Sequence, residues 1–358
     1  MSKNYRFTTN SIHAGESKTT SATPIHLGAT TDAEYLRSGN PTLRAFEEKV
    51  CTLEGGETAV STASGMAAIS QTLLALLRPG DRLICHQTIY FWATELTHVV
   101  LPEFGIDVQI VDMRDTGQLK ATLAPNKATN TVVYFEPLAN PKAEILDAVT
   151  LIQLAKAAGA TVVIDNTFLS PCLLNPLALG ADIVLHSATK YLCGHGDALA
   201  GVMVTKEAWM GEKLRHARST FGGILSPVNS YLLLRGIKTL ALRVERHCQN
   251  AQAVAEYLDA HPAISDVQYP GLPSVQGHDI ATEQWRGYGA MLNFEIPNPA
   301  AHQRFFERID LIKPWVSLGD AGSLAVGGEH FGGPTRVRMS VGLEDIVDIL
   351  ADIGQALA

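Results

Sequence analysis

The chain has 358 residues, 46% of them hydrophobic, with 28 Lys+Arg against 36 Asp+Glu and a formal net charge of −8. That length supports a sizeable core and two domains, and an acidic balance without any basic run makes nucleic acid and anionic membrane poor expectations as partners. The polar N-terminus lacks an apolar signal core. The longest apolar stretch, "ILDAVTLIQLAKAAGATVVI", is broken by Asp147, Gln153 and Lys156, so no membrane span is expected and a cytoplasmic location is. Five scattered cysteines (Cys51, Cys85, Cys172, Cys193, Cys248) form no C-x-x-C pair. They read as free thiols, without a disulfide framework or a metal site.

Residues 1–40 have little periodicity and read as an extended arm. "NPTLRAFEEKVCTLEGG" reads as a helix, with Asn40 as its cap, Pro41 at the first position and Gly55-Gly56 as the stop. Leu43, Phe46, Val50 and Leu53 share one face of it. An alternation follows: strand "TAVSTAS", helix "GMAAISQTLLALL", strand "RLICH", helical "FWATELTHVVLPEFG", strands "DVQIVD" and "TVVYFEP", helix "DAVTLIQLAKAAG", then strands "TVVIDN", "ADIVLHS" and "LAGVMVT". Continuous apolar, β-branched runs between helices indicate an α/β domain with a mainly parallel sheet covered on both faces. This large domain is placed at 41–240. "NSYLLLRGIKTLALRVERHCQNAQAVAEYLDAHP" reads as long helical structure carrying the domain junction, with Pro262 at its end. "GYGAMLNFEI", "AAHQRFFERI" and "LEDIVDILADIGQAL" then indicate a smaller α+β domain over 241–358.

Ligands of open α/β sheets sit beyond the carboxyl ends of the strands. At those ends stand Ser64, Gly65 and Met66, where backbone N–H groups at a helix start can hold an anion. Glu136 and Asn140 follow one strand and Asp165 closes another. Ser187, Thr189 and Lys190 follow a third. Taken singly, each has an ordinary structural reading: a glycine turn that binds nothing, an Asp that caps a loop, a lysine with a solvated head. Together they offer an anion cradle, a carboxylate and a lysine of depressed pKa one βα unit apart. Pyridoxal 5'-phosphate needs that set: a lysine to hold its aldehyde, a carboxylate for its ring nitrogen, and a phosphate site. Tyr90 is a candidate for the ring face, with a core role an equal alternative.

"SATKYLCGHGD", "VVIDNTFLSP", "ASGMAAI", "RSGNPTLRAFEEKVCTLEGG", "GIKTLALRVERHCQNAQAVAEYL", "SLGDAGSLA" and "VRMSVGLEDI" resemble the Cys/Met-metabolism (trans-sulfuration) family of pyridoxal-phosphate enzymes. The resemblance covers nearly the whole chain. It implies the aminotransferase-like type I fold with a seven-stranded sheet, and a homotetramer built as a dimer of catalytic dimers, with the 1–40 arm making inter-subunit contacts. It also implies roles. Lys190 binds the cofactor covalently, Asp165 pairs with the ring nitrogen, and Tyr90 stacks on the ring. Gly65, Met66, Ser187 and Thr189 hold the phosphate, and Asn140 lies near the cofactor hydroxyl. Tyr35 and Arg37 reach the neighbouring subunit's phosphate site. Arg338 takes the substrate carboxylate, as a planar guanidinium does well, and Ser317 and Val316 line the substrate side.

Three departures from the family pattern bear on substrate. The arm between "TPIHLGATT" and Tyr35 is contracted, and Trp92 follows Tyr90 where a small residue is usual. "SLAVGGEHFGGPTRVRMSVG" is shorter than its counterparts. Val316 stands where cystathionine synthases and γ-lyases commonly carry Glu; methionine γ-lyases look more like "VSLGDA", which implies a less polar distal pocket. The expected activity is therefore α,γ-elimination from methionine or a homoserine-derived relative, giving a 2-oxo acid and ammonia. The alternatives are a γ-replacement synthase and a cystathionine β-lyase. A cofactor-binding regulator without turnover is disfavoured, since it has no chemical need for a lysine nucleophile.

Overall fold

The structure, a computed structural model, describes residues 5–17, 19–30, 35–124, 128 and 130–358. The contraction expected before Tyr35 falls at 31–34, outside the described residues.

Seven strands form the large sheet: β1 (Thr58–Thr62), β2 (Arg82–His86), β3 (Asp107–Val111), β4 (Thr131–Phe135), β5 (Thr161–Asp165), β6 (Ile183–His186) and β7 (Gly201–Thr205). Their order is β1-β7-β6-β5-β4-β2-β3. Only β7 runs against the rest, pairing antiparallel with both β1 and β6, while β6, β5, β4, β2 and β3 are parallel. Alternate residues face opposite layers, as the period-2 pleat requires. Val163, Ile183 and Leu185 pack with the helices Gly65–Leu76 and Ala208–Phe221. Ile164, Val184 and Val202 pack with the helices Pro41–Glu54 and Ala148–Ala157. The fold is thus α/β with a mainly parallel seven-stranded sheet. A second, antiparallel sheet of β8 (Ser265–Gln268), β9 (Met291–Glu295), β10 (Leu324–Gly328) and β11 (Gly333–Ser340) forms the smaller C-terminal domain, in the order β8-β9-β11-β10.

The helix Pro41–Glu54 follows its sequence signals. Asn40 caps it by accepting the Thr42 N–H, and Gly55 ends it in the left-handed region at φ 68°, where glycine carries no Cβ penalty. Three elements differ from expectation. The arm is not wholly extended, because Phe7–His13 is helical. The buried Lys49 ammonium donates to the Ser11 and Ile12 carbonyls at that helix's end, at 3.0 and 2.9 Å, and pairs with Glu16. A cation satisfying terminal carbonyls stabilises so short a helix. The stretch after Tyr90 is helical but widens to a π turn at Leu96–Val100, which accommodates Pro102, a residue without an N–H whose ring would crowd the His98 carbonyl. The long helical stretch is two helices, Pro227–Ile237 and Leu240–Asp259. They part because the Arg243 guanidinium takes the Gly236 carbonyl at 2.9 Å, together with that of Tyr191.

His247, on the second of these helices, is bonded through Nδ1 to the Val341 carbonyl at 2.7 Å. Its Nε2 is buried without a partner, and Tyr191 packs edge-on at 5.4 Å. Charging Nε2 would bury an unpaired N–H, so burial pushes this histidine down to about 4. Below the unfolded-state value near 6.5 the unfolded chain binds the extra proton and the folded chain does not, so stability falls as pH drops from 6.5 towards 4. The full loss is about 3 kcal/mol. Denaturant titrations across that window should show a flatter pH slope for His247→Gln than for the parent; identical slopes would refute this assignment.

Candidate active site

The strand ends converge because β6, β5, β4 and β2 are parallel neighbours and β1 shares their direction. A cavity of about 510 Å³ opens there. It is bordered by Gly65, Met66, Tyr90, Asn140, Asp165, Ser187, Thr189, Lys190, Val316, Ser317 and Arg338. Eleven of the thirteen residues given roles from sequence are therefore brought to one place. Tyr35 and Arg37 are not: they are exposed and lie outside this chain's own cavity, with the Arg37 guanidinium 5.0 Å over the Tyr35 ring.

Asp165 ends β5 fully inside the protein. Its Oδ1 accepts from the Thr167 N–H at 3.0 Å and from the Thr167 hydroxyl at 2.5 Å. The same hydroxyl oxygen accepts the Ser187 N–H at 2.8 Å, locking the ends of β5 and β6 together. Burial raises the carboxyl above its ordinary range, and the Thr167 bonds only partly offset that. Beside it, the buried Glu136 carboxyl accepts two backbone N–H groups, Tyr90 at 2.7 Å through Oε1 and Asn140 at 2.8 Å through Oε2. Burial, with the charge of Asp165 added, holds Glu136 well above the usual carboxylate range. Glu136 thus clamps both Tyr90 and Asn140.

Lys190 lies in the turn after β6, and its Nζ donates to Ser317 Oγ at 2.9 Å, not to the neighbouring hydroxyls. Thr189 spends its hydroxyl on the Ala200 backbone. Burial lowers the Lys190 amine; Asp320 opposes the shift and Arg338 adds to it. Ser317 holds φ at 131°, a conformation that non-glycine residues keep only where surroundings enforce it. Arg338, buried on β11, donates through Nη1 to Asn140 Oδ1 at 2.8 Å, and its guanidinium lies 4.8 Å over the Phe331 ring. Burial raises the Tyr90 phenol above 10, so it stays protonated at neutral pH.

These residues fit pyridoxal 5'-phosphate. Two carboxyls, both pushed up by burial, suit a cationic partner, and a protonated ring nitrogen would supply one beside Asp165. At the other end, Ser64 caps the helix Gly65–Leu76 through the Ala67 N–H, so the Gly65 and Met66 amides border the cavity at the helix's open, electropositive end. A Cβ on Gly65 would come within 2.7 Å of Ser187; glycine keeps that cradle open. Lys190, with a lowered amine, suits an aldehyde.

Fold and site together define a type I pyridoxal-phosphate enzyme. The chain belongs to the family described as Cys/Met metabolism PLP-dependent enzyme, whose sequence profile it matches over residues 8–358. It is 43% identical over 342 residues to L-methionine gamma-lyase of Pseudomonas putida, covering 90% of this chain and 84% of the relative. It is 40% identical to cystathionine beta-lyase of Lactococcus lactis subsp. cremoris, covering 97% of both. The solved structure of metB from Corynebacterium glutamicum superposes with a TM-score of 0.93 at 36% identity, covering 99% of this chain and 98% of that one. The protein is thus an enzyme that uses pyridoxal phosphate and acts on a carbon–heteroatom bond of a small amino acid. Among the described residues no helix is long and apolar enough to cross a membrane.

Sequence reasoning left Thr167, Glu136, Phe91, His330 and Phe331 without roles. Thr167 was findable, since a hydroxyl residue two places after a strand-end Asp often closes a turn onto it. Glu136 was visible as an acid at a strand end but without a partner to give it a role, and Phe91, His330 and Phe331 carried no local signal.

Glu136→Gln replaces one acceptor with an NH₂ group and leaves a buried backbone N–H unpaired, at a cost of about 1–3 kcal/mol. Weaker cofactor binding, followed by fluorescence titration, and a lower Tm are expected; unchanged values of both would exclude the clamp.

Proposed function

We propose that the protein is a lyase that performs α,γ-elimination on methionine or a closely related γ-substituted amino acid, consuming water and releasing the γ group (a thiol from methionine), a 2-oxo acid and ammonia. The observation that carries this reading is the gathering of Lys190, Asp165, Tyr90 and Arg338 around one cavity whose further lining includes Phe91, Trp92, Val316 and Phe331. A thioether packs well against aromatic edges.

Arg338 binds the substrate carboxylate, with one guanidinium nitrogen already fixed by Asn140. The cofactor, bound through Lys190, supplies an electron sink for the bonds broken at the substrate's α-carbon. Asp165 keeps the ring nitrogen protonated. Lys190, free once substrate has entered, takes the α-proton; its burial favours the neutral amine that a base requires. Ser317 Oγ holds that amine in place. A second proton then leaves Cβ, and Tyr90, protonated and at the cavity edge, donates to the departing γ group, which leaves as a thiol. Gly65, Met66 and Ser187 hold the phosphate, and Thr189 joins them only by exchanging its bond to Ala200.

A second reading is β-elimination from cystathionine, or γ-replacement with an incoming thiol. It is favoured by the relatives themselves, which include cystathionine β-lyases at nearly the same identity and fuller coverage. The early proton transfers are common to all three reactions. An amino-acid panel read by 2-oxo acid release separates them. A four-carbon oxo acid from methionine is the expected result; pyruvate alone, or a new thioether only when a thiol is present, replaces the reading with one of the alternatives.

The assembly is proposed to be a homotetramer in which Tyr35 and Arg37 complete a neighbouring subunit's phosphate site, which accounts for their exposure here. Arg37→Ala and Lys190→Ala chains, each inactive by about a hundredfold or more, should regain turnover when mixed. Absence of any recovery would remove the cross-subunit role.

A further inference from the structure

The strands β10 and β11 are joined by a very short turn. Gly327 pairs with Val337 and Gly328 with Gly333, so only Glu329–Gly332 lie between. Gly328, Gly332 and Gly333 take φ values of 113°, 113° and 154°, which a side chain rarely allows. The tight turn carries His330 and Phe331 to the cavity. His330 meets the Phe91 ring edge-on at 5.5 Å, and Phe91 meets Trp92 at 5.1 Å. Phe331 lies under the Arg338 guanidinium at 4.8 Å. Two segments far apart in sequence, the Tyr90–Trp92 turn and the Glu329–Phe331 turn, therefore touch beside the cavity, and one of them is registered on the carboxylate-binding arginine.

The ionic side chains among the described lining residues are Glu136, Asp165, Lys190 and Arg338. Each is engaged: Glu136 by two amides, Asp165 by Thr167, Lys190 by Ser317, and Arg338 by Asn140. The wall made by Tyr90, Phe91, Trp92, Val316, His330 and Phe331 has no carboxylate, ammonium or guanidinium to receive a charged end of a substrate, and setting such a group against it without a partner is unfavourable.

We propose that the His330–Phe91 contact is a bar across the substrate side of the cavity, and that His330 and Phe331 are specificity-determining residues which restrict the enzyme to amino acids with a compact, uncharged side chain of about methionine's length. The inference rests on the reading of this cavity as the substrate site, but not on which bond is cleaved. Substrates with a second amino-acid head group are disfavoured by both the bar and the uncharged wall.

The test uses binding of amino acids that have no leaving group, titrated on the cofactor-loaded enzyme through its visible absorbance. Norleucine matches methionine in length, 2-aminodecanoate is longer, and 2-aminoadipate has norleucine's length with a terminal carboxylate. The parent enzyme should bind norleucine at least about tenfold more tightly than either of the others, the scale on which an apolar pocket discriminates. His330→Ala should reduce the preference over 2-aminodecanoate by about tenfold while norleucine affinity and Tm change little. Phe91→Ala should reduce the length preference likewise, with some loss of norleucine affinity because Phe91 lines the cavity, and the double variant should change the preference little further, because both remove one contact. Equal binding of the three ligands by the parent, or an unchanged length preference in both variants, overturns the proposal. Failure of α,γ-elimination would show separately: methionine would give no oxo acid while S-methylcysteine did, with the norleucine preference intact.

Discussion

Burial governs the ionisable groups at the centre of this protein. Asp165 and Glu136 stand at the ends of neighbouring parallel strands, buried in one cavity, and both carboxyls are pushed towards their neutral forms. Lys190 and Arg338 border the same cavity, and burial weakens each as a cation. Such a set is unfavourable in an empty pocket and favourable around a ligand that carries a protonated ring nitrogen at one end and a phosphate at the other. Burial at the strand ends thus sets the ionisation of the groups that would hold the cofactor.

That geometry is simple. Parallel strands present their carboxyl ends at one edge of the sheet, and the loops that leave them must turn there. Thr167 joins two of these ends through one hydroxyl, and Glu136 joins two loops through one carboxylate. Each polar atom has a structural task as well as a position near the ligand, so the site and the sheet edge are stabilised by the same bonds.

The C-terminal domain completes the site from a distance. Arg338 reaches Asn140 across 198 residues of chain, and Ser317 reaches Lys190 across 127. Arg243 and His247, on the helix between the two sheets, hold the Tyr191 and Val341 carbonyls. The helix that links the sheets therefore also fixes the turn that carries the lysine.

Local chemistry explains what was legible in the sequence. Apolar runs and their spacing marked the seven strands of the large sheet and most helices, and Asn40, Pro41 and Gly55 marked one helix at both ends. Lys190, Asp165 and Gly65 stood out as a set, because each alone has an ordinary structural reading while a lysine, an acid and a glycine turn at adjacent strand tips together suit one ligand, and the family motifs around them are contiguous in the chain. Other features depend on partners far away in sequence. The arm helix forms where Lys49 caps it, and the long helix parts where Arg243 takes a carbonyl. The Glu136 clamp, the strained Ser317 and the His330–Phe91 contact likewise exist only once separate segments meet. Periodicity and motifs report what a residue does with its neighbours in the chain; burial, desolvation and cross-chain contact, which set the ionisation and the shape of this site, are properties of the folded whole.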